Sequence, residues 1–297
     1  MSEYRCTLCP RNCGAVREET AGRGFCRAGT LPKIARVAPH AWEEPCISGT
    51  KGSGTIFFSG CVLSCVFCQN HEISTGGHGK TVTVEELIAY IRRLEAQGVH
   101  NINLVSPTPY TESVIDCLTR YRPSVPVVYN TGGYEKVSTL RRLEGLIDIY
   151  LPDLKYVSSE LSARYSGAPD YFDAALPAIR EMVRQTGKPR FDENGMLLRG
   201  TIVRHLVLPQ HTKNSMQVLE VLKEEFDDQI LVSLMGQYVP MARAADFPEI
   251  NRRITAREYR KVLAYMEDLE LEGFAQELSS ATKDFVPDFD LSALELS

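Results

Sequence analysis

Gly54-Thr55-Ile56-Phe57-Phe58-Ser59-Gly60-Cys61-Val62-Leu63-Ser64-Cys65-Val66-Phe67-Cys68-Gln69-Asn70 runs from a strand-like apolar segment straight into three cysteines spaced C-x3-C-x2-C. Three thiolates within eight residues can wrap three corners of a cubane 4Fe-4S cluster and leave one iron without a protein ligand. That open iron is where chemistry can occur. The alternative is three buried or zinc-binding cysteines. A closed structural zinc site takes four ligands, and ferredoxin-type electron carriers also use four cysteines. Three after a strand point instead to a reactive cluster.

The rest of the chain bounds the kind of protein that carries this loop. Its 297 residues can form one large domain with a small appendage, and 43% hydrophobic with 24% charged residues is ordinary for a globular enzyme. No apolar run approaches the roughly 18 residues that cross a bilayer, and Met1-Ser2-Glu3-Tyr4-Arg5 does not read as a signal peptide. The expected location is therefore cytoplasmic, with no membrane partner. Nine cysteines in that setting read as thiolates kept reduced for metal or cluster binding. A net charge of -5 and a pI near 5.8 lack the basic footprint of a nucleic-acid binder. The pairs Arg92-Arg93, Arg141-Arg142 and Arg252-Arg253 read as solvated helix faces.

Residues 1–50 hold five of the nine cysteines and little hydrophobic periodicity, so they read as a metal-stapled cap and lead-in. From residue 51 to 297 the pattern alternates and ends in a C-terminal extension. Strands are expected at 56–59, 101–105, 125–129, 147–151, 201–208 and 229–234. Thr83-Val84-Glu85-Glu86 is a capping box that opens a helix with Leu87, Ile88, Ile91 and Leu94 on one face. Further helices are expected through Val114 to Tyr121, over 158–186, from 217 to 226, and from Thr255 with Glu258 onward. Six strand-helix units build a parallel sheet with right-handed crossovers, and six rather than eight imply a partial barrel open on one side. The polar loops follow the strands, at 59–70, 106–110, 130–134, 152–156, 209–211 and 235–240. Parallel barrels place their chemistry there.

The cysteine spacing, with Phe67 before the last cysteine, resembles the signature of the radical S-adenosylmethionine (radical SAM) enzymes. Cys9-Pro10-Arg11-Asn12-Cys13-Gly14, Glu43-Glu44-Pro45-Cys46-Ile47-Ser48-Gly49 and the run from Gly52 through Cys61 are similar to pyruvate formate-lyase activating enzyme-like proteins with an N-terminal cysteine cap. The resemblance implies an α/β fold, a partial (β/α)6 radical SAM barrel with a small cysteine-rich cap. It implies a 4Fe-4S cluster on Cys61, Cys65 and Cys68, with SAM on the fourth iron, cleaved reductively to methionine and a 5′-deoxyadenosyl radical. It also implies a one-electron donor such as flavodoxin or ferredoxin, and a hydrogen taken from a glycine of a partner enzyme. The rivals are radical SAM catalysis on a small molecule or another macromolecule, and a non-catalytic iron-sulfur or zinc-binding scaffold or electron carrier.

Further site residues follow from strand ends and from the same resemblance. Asp153 and Lys155 share one face of an extended segment and resemble an Asp-x-Lys element implicated in SAM binding; the plain alternative is a surface ion pair. The Gly-Gly-Glu-like segment that many relatives carry after the second strand is replaced here by Ser106-Pro107-Thr108-Pro109, so Ser106, Thr108 and backbone groups are expected to substitute for it. Gly132-Gly133-Tyr134-Glu135 follows the third strand and is not that motif. Asn130, Thr131 and Gly132 are expected ribose or carboxylate contacts. Arg204 and His205 must face opposite ways, and Arg204 is the better ligand group. Gln237 stands near where activating enzymes place a SAM-contacting histidine. Cys6, Cys9, Cys13 and Cys26 supply four thiolates for a second site, zinc or an auxiliary iron-sulfur cluster. Cys46 is within reach of either site, and Cys117 is packing.

Overall fold

A computed structural model describes residues 5–276, 289–291 and 294–295. Much of the expected C-terminal extension, including 277–288, lies outside the described residues. The strands are β1 (Lys33–His40), β2 (Ser53–Phe58), β3 (Lys80–Thr81), β4 (Ile102–Val105), β5 (Val127–Thr131), β6 (Ile149–Pro152), β7 (Arg190–Phe191), β8 (Leu197–Leu206), β9 (Leu231–Met235) and β10 (Gly273–Ala275). They form one sheet in the order β10-β9-β8-β6-β5-β4-β2-β1-β3, with β7 beside β8. Every neighbour from β10 to β2 is parallel. The six expected strands are β2, β4, β5, β6, β8 and β9, in sequence order across the sheet. The path has two ends, so the barrel is partial.

Three strands outside the expected six matter for the site. β1 runs antiparallel to β2, pairing Ile34 with Phe58 and His40 with Ser53, so the stretch read as cap and lead-in contributes a strand to the sheet. β3 extends that edge, and β10 adds a parallel strand beside β9 at the other.

Side-chain alternation assigns the two faces. Ile56, Phe58, Ile102, Leu104, Val127 and Tyr129 point outward and pack with Leu87, Tyr90, Ile91 and Leu94 of the helix Val84–Ala96 and with Val114, Cys117 and Leu118 of Thr111–Arg120. Val128, Ile149, Leu151, Ile202 and Leu231 point inward and meet Cys46 and Ile47 of the short helix Pro45–Ser48, which plugs the interior. Burying each such side chain contributes about 1.5–3 kcal/mol. Cys46 therefore belongs to this plug rather than to a metal site, and Cys117 packs as expected. Further along the inward rows the residues become polar: Asn103, Asn130, Asp153, Arg204 and Ser233. The change from apolar to polar along one row of each strand creates the floor of a cavity.

Candidate active site

At the carboxyl ends of the parallel strands lies a cavity of about 260 Å³. Cys61, Cys65 and Cys68 line it together with Ser106, Asn130, Thr131, Gly132, Asp153, Lys155, Arg204 and Gln237. Residues from six separate loops or strand ends thus converge, with Phe57, Val105, Leu206 and Met235 as the apolar part of the wall.

The cysteine loop leaves β2 and is held by its neighbours. Val66 N–H donates to Tyr165 O at 2.8 Å and Ser64 N–H to Ser166 O at 3.3 Å. Cys65 Sγ lies 3.0 Å from Ser166 Oγ, Cys68 Sγ lies 3.3 Å from Ser74 Oγ, and Leu63 N–H donates to Cys61 Sγ at 3.4 Å. Burial and the nearby Cys65 push the Cys61 thiol up to about 12 and the Cys68 thiol up to about 11. Thiols so placed ionise only against a strong positive charge, and a coordinated metal deprotonates them outright. Among the described residues no three His, Cys, Asp or Glu groups are placed to hold a single metal ion. A cubane has a different requirement, one thiolate on each of three irons with the fourth left open, and three thiols on one cavity wall are a donor set of that kind.

Opposite the cysteines, Lys155 Nζ donates to Asp153 Oδ2, both side chains being mostly buried. Burial disfavours the Lys155 charge, but the Asp153 carboxylate and the Cys65 sulfur outweigh it and raise the ammonium above its usual range. Tyr171, from the helix Tyr171–Thr186, fixes this corner. Its hydroxyl accepts the Lys155 N–H at 3.1 Å and lies 2.9 Å from Gly132 O and 2.8 Å from Asp153 O. Gly133, at φ 81°, passes so close to β6 that a Cβ would stand 2.1 Å from Asp153 O, so only glycine fits there.

Three expected residues have other partners. Thr108 does not line the cavity: its hydroxyl and that of Thr131 both donate to Glu135 Oε1. Arg204 reaches the cavity but is gripped by the chain's own carboxylates, with Nε 2.7 Å from Glu44 Oε1, Nη2 2.7 Å from Glu44 Oε2, and Nη2 also on Glu43 Oε2. Asn103 Nδ2 adds a bond to Glu43 Oε1 at 3.0 Å. His205 faces the other way, fully buried, with Nδ1 2.7 Å from Leu154 O. Glu43, Glu135 and Tyr171 escaped the sequence reading. The first lies before the plug helix, and the other two act through contacts between distant segments. Glu43 and Glu135 both lie inside segments already quoted and so offered a signal; Tyr171 offered none.

The four cap cysteines lie on a tight knuckle in which Cys6 N–H donates to Ala15 O at 3.0 Å and Asn12 N–H to Cys9 O at 3.1 Å. Cys6 and Cys9 are buried, Cys26 is half-buried and Cys13 is exposed. Burial raises Cys9 to about 12 and also raises Cys26. A second cavity, of about 450 Å³, lies between Cys26 of the cap and Cys61 of the cysteine loop. No described helix is long and apolar enough to cross a membrane.

Comparison with known proteins bears on the family and the fold. The sequence pattern of the Radical SAM superfamily matches residues 55–236. An uncharacterized protein of Methanocaldococcus jannaschii is 31% identical over 278 residues, 90% of this chain and 75% of that protein. The crystal structure of methylornithine synthase, PylB, superposes with a TM-score of 0.51 at 17% identity, over 74% of this chain and 66% of that one. Streptococcus suis SuiB bound to the precursor peptide SuiA matches at 18% identity and a TM-score of 0.49, over 74% of this chain. This chain spans about half the length of that structure, 48%. With a matched segment that begins in β2, ends just past β9 and contains all three loop cysteines, the chain belongs to the Radical SAM superfamily.

Proposed function

We propose that this enzyme binds a 4Fe-4S cluster on Cys61, Cys65 and Cys68 and SAM across the β5 and β6 loop ends, and that it takes a hydrogen from a glycine in a loop of a partner protein. The observation that carries the reading is the convergence of three thiols, the Asp153–Lys155 pair and the β5 loop on one cavity of a barrel that is not closed. When bound, the cluster supplies the electron that cleaves the sulfonium carbon–sulfur bond of SAM. The cofactor provides the difficult chemistry; the chain provides orientation and exclusion of water.

The Asp153 carboxylate accepts hydrogen bonds from the ligand's ammonium or hydroxyl groups, and Lys155 fixes that carboxylate's position while offering its own charge to an anionic group. Asn130 and the Gly132 backbone present polar groups beside them, while the Thr131 hydroxyl is given to Glu135. Phe57, Val105, Leu206 and Met235 form the apolar part of the cavity wall, which limits quenching of a reactive intermediate. Residues 1–50 serve as the cap and lead-in; Cys6, Cys9, Cys13 and Cys26 are not placed to hold a single zinc ion in the described arrangement, so an auxiliary iron-sulfur cluster is the second centre proposed there. The similarity of the cap and loop segments to activating enzymes of glycyl radical proteins supports the choice of a glycine, and a flavodoxin or ferredoxin suits the one-electron requirement.

Anaerobically reconstituted protein with a chemical reductant should convert SAM to 5′-deoxyadenosine and methionine, and Cys65→Ala should abolish this. Turnover of Cys65→Ala at the parent rate would refute the cluster assignment. Deuterium should pass from an α-deuterated glycine peptide into 5′-deoxyadenosine. SAM cleavage without that transfer would place the substrate elsewhere while leaving the cofactor reading intact.

A further inference from the structure

We propose that the N-terminal cap sets the shape of the catalytic cavity, through two positioning residues, Arg11 and Arg17, that hold the two loops forming its walls. The inference rests on reading the cavity as the cofactor site.

Arg11 stands between Cys9 and Cys13 and reaches out of the cap. Its Nε donates to Val62 O at 2.9 Å, and its Nη1 donates to Gly167 O at 2.6 Å. Val62 follows Cys61 directly. Gly167 ends the helix Ser159–Ser166, whose Ser166 touches Cys65 Sγ. One guanidinium therefore joins the cysteine loop to the helix end against which that loop is packed. The Phe25 ring lies 3.9 Å from the Arg11 guanidinium carbon and holds the plane in place.

Arg17 does the same for the loop after β4. Its Nη2 donates to Pro109 O at 2.6 Å, its Nε to Ala28 O at 2.9 Å, and Nη1 lies 3.8 Å from Cys6 Sγ. That loop carries Ser106, a cavity residue in the left-handed region at φ 59°, where a non-glycine backbone needs outside support. Tyr110, three residues beyond Pro107, completes the circuit by donating to Ser59 O at 2.9 Å, just ahead of the cysteines. The cap chain itself lies on the cysteine loop: a Cβ on Gly60, at φ 90°, would stand 2.9 Å from Cys26 O.

Both loops lie beyond the ends of their strands, where the backbone bonds are few, among them Ser106 N–H to Asn130 O at 2.8 Å and Val66 N–H to Tyr165 O at 2.8 Å. A charged donor on a backbone carbonyl is stronger than a neutral one and defines a direction. The consequence is that order in the cap is transmitted to the cysteines and to Ser106.

The test compares Arg11→Met, Arg11→Lys, Arg17→Met and Lys136→Met in the full-length, anaerobically reconstituted protein. Lys136 is the control, because it anchors the cap through Thr7 O at 3.2 Å and Asn12 Oδ1 at 2.7 Å without touching either loop. Amide hydrogen exchange should speed up in peptides covering 59–70 for Arg11→Met and 106–111 for Arg17→Met, but in neither for Lys136→Met. SAM dissociation constants should rise about tenfold in the two arginine-to-methionine variants, through loosening of the loops rather than loss of a contact to SAM. Arg11→Lys should recover part of the loss, with iron and sulfide content unchanged throughout. Equal exchange and equal SAM affinity in the arginine and Lys136 variants would overturn the proposal, leaving the arginines as cap anchors. If the parent itself binds no SAM, the cofactor reading fails, and the exchange pattern still decides whether the arginines clamp the loops.

Discussion

Asp153 and Lys155 are two residues apart on one strand end, so they share a face of the extended chain, and both line the cavity. Replacing either charge in a site this enclosed should weaken SAM binding by roughly ten- to a hundredfold, or about 1.5–3 kcal/mol. Equilibrium binding of SAM to Asp153→Asn and Lys155→Met is the measurement, with the absorbance of the cluster as the control. Glu135 carries a different expectation. Its carboxyl is 1% exposed, and burial pushes it up to about 7 from a usual 4.5 although Thr108 and Thr131 donate to it. Tyr129, Tyr150 and Cys9 feel its charge from β5, β6 and the cap. The folded state keeps a proton that the unfolded state releases, so its contribution to stability is fully present below 4.5 and is lost as pH rises through about 7. The loss is on the order of 3 kcal/mol. Glu135→Gln retains an acceptor for the two threonines, so its unfolding temperature should match the parent near about pH 4.5 and exceed it increasingly toward about pH 8. A difference independent of pH would contradict the buried carboxylate. The Asp153–Lys155 pair was legible in the sequence because its geometry is local. The partners of Arg204 were not, since Glu43 and Glu44 lie 161 and 160 residues away.

Elements were readable where their signals are short-range. Both halves of the capping box at the start of Val84–Ala96 are formed, with Glu86 N–H donating to Thr83 Oγ1 at 3.2 Å and Thr83 N–H to Glu86 Oε2 at 2.8 Å. Thr83→Ala should cost about 1 kcal/mol, seen as a fall of roughly 2–4 °C in melting temperature. The same box opens Ala256–Asp268 at Thr255. The inner strands stood out as apolar runs because both of their faces are covered. β1 was harder to see: its sequence Lys33-Ile34-Ala35-Arg36-Val37-Ala38-Pro39-His40 mixes charge and a proline with apolar residues, which suits an outer strand. β10, three residues long, carries almost no pattern of its own and exists because β9 offers it an edge.

For the whole molecule the question is what the cap does for the barrel. A Cys9→Ala, Cys13→Ala variant should lose one metal centre and melt lower, yet keep the iron held by Cys61, Cys65 and Cys68. Metal analysis together with thermal unfolding checks this, and unchanged metal content would remove the second site. By itself the sequence determined the class of fold, the six parallel strands and the loop that carries the cysteines. These depend on apolar runs, spacing and turn residues that act over a few neighbours. Only the tertiary structure decided that β1 joins the sheet, that Pro45–Ser48 plugs its interior, that Arg204 is occupied by Glu43 and Glu44, that Thr108 turns to Glu135, and that Arg11 and Arg17 reach the cavity walls. The reason is physical: a buried charge or an unpaired carbonyl must find a partner wherever the packed chain supplies one. Closeness in space between distant segments is set by the packing of the whole, and no local pattern encodes it.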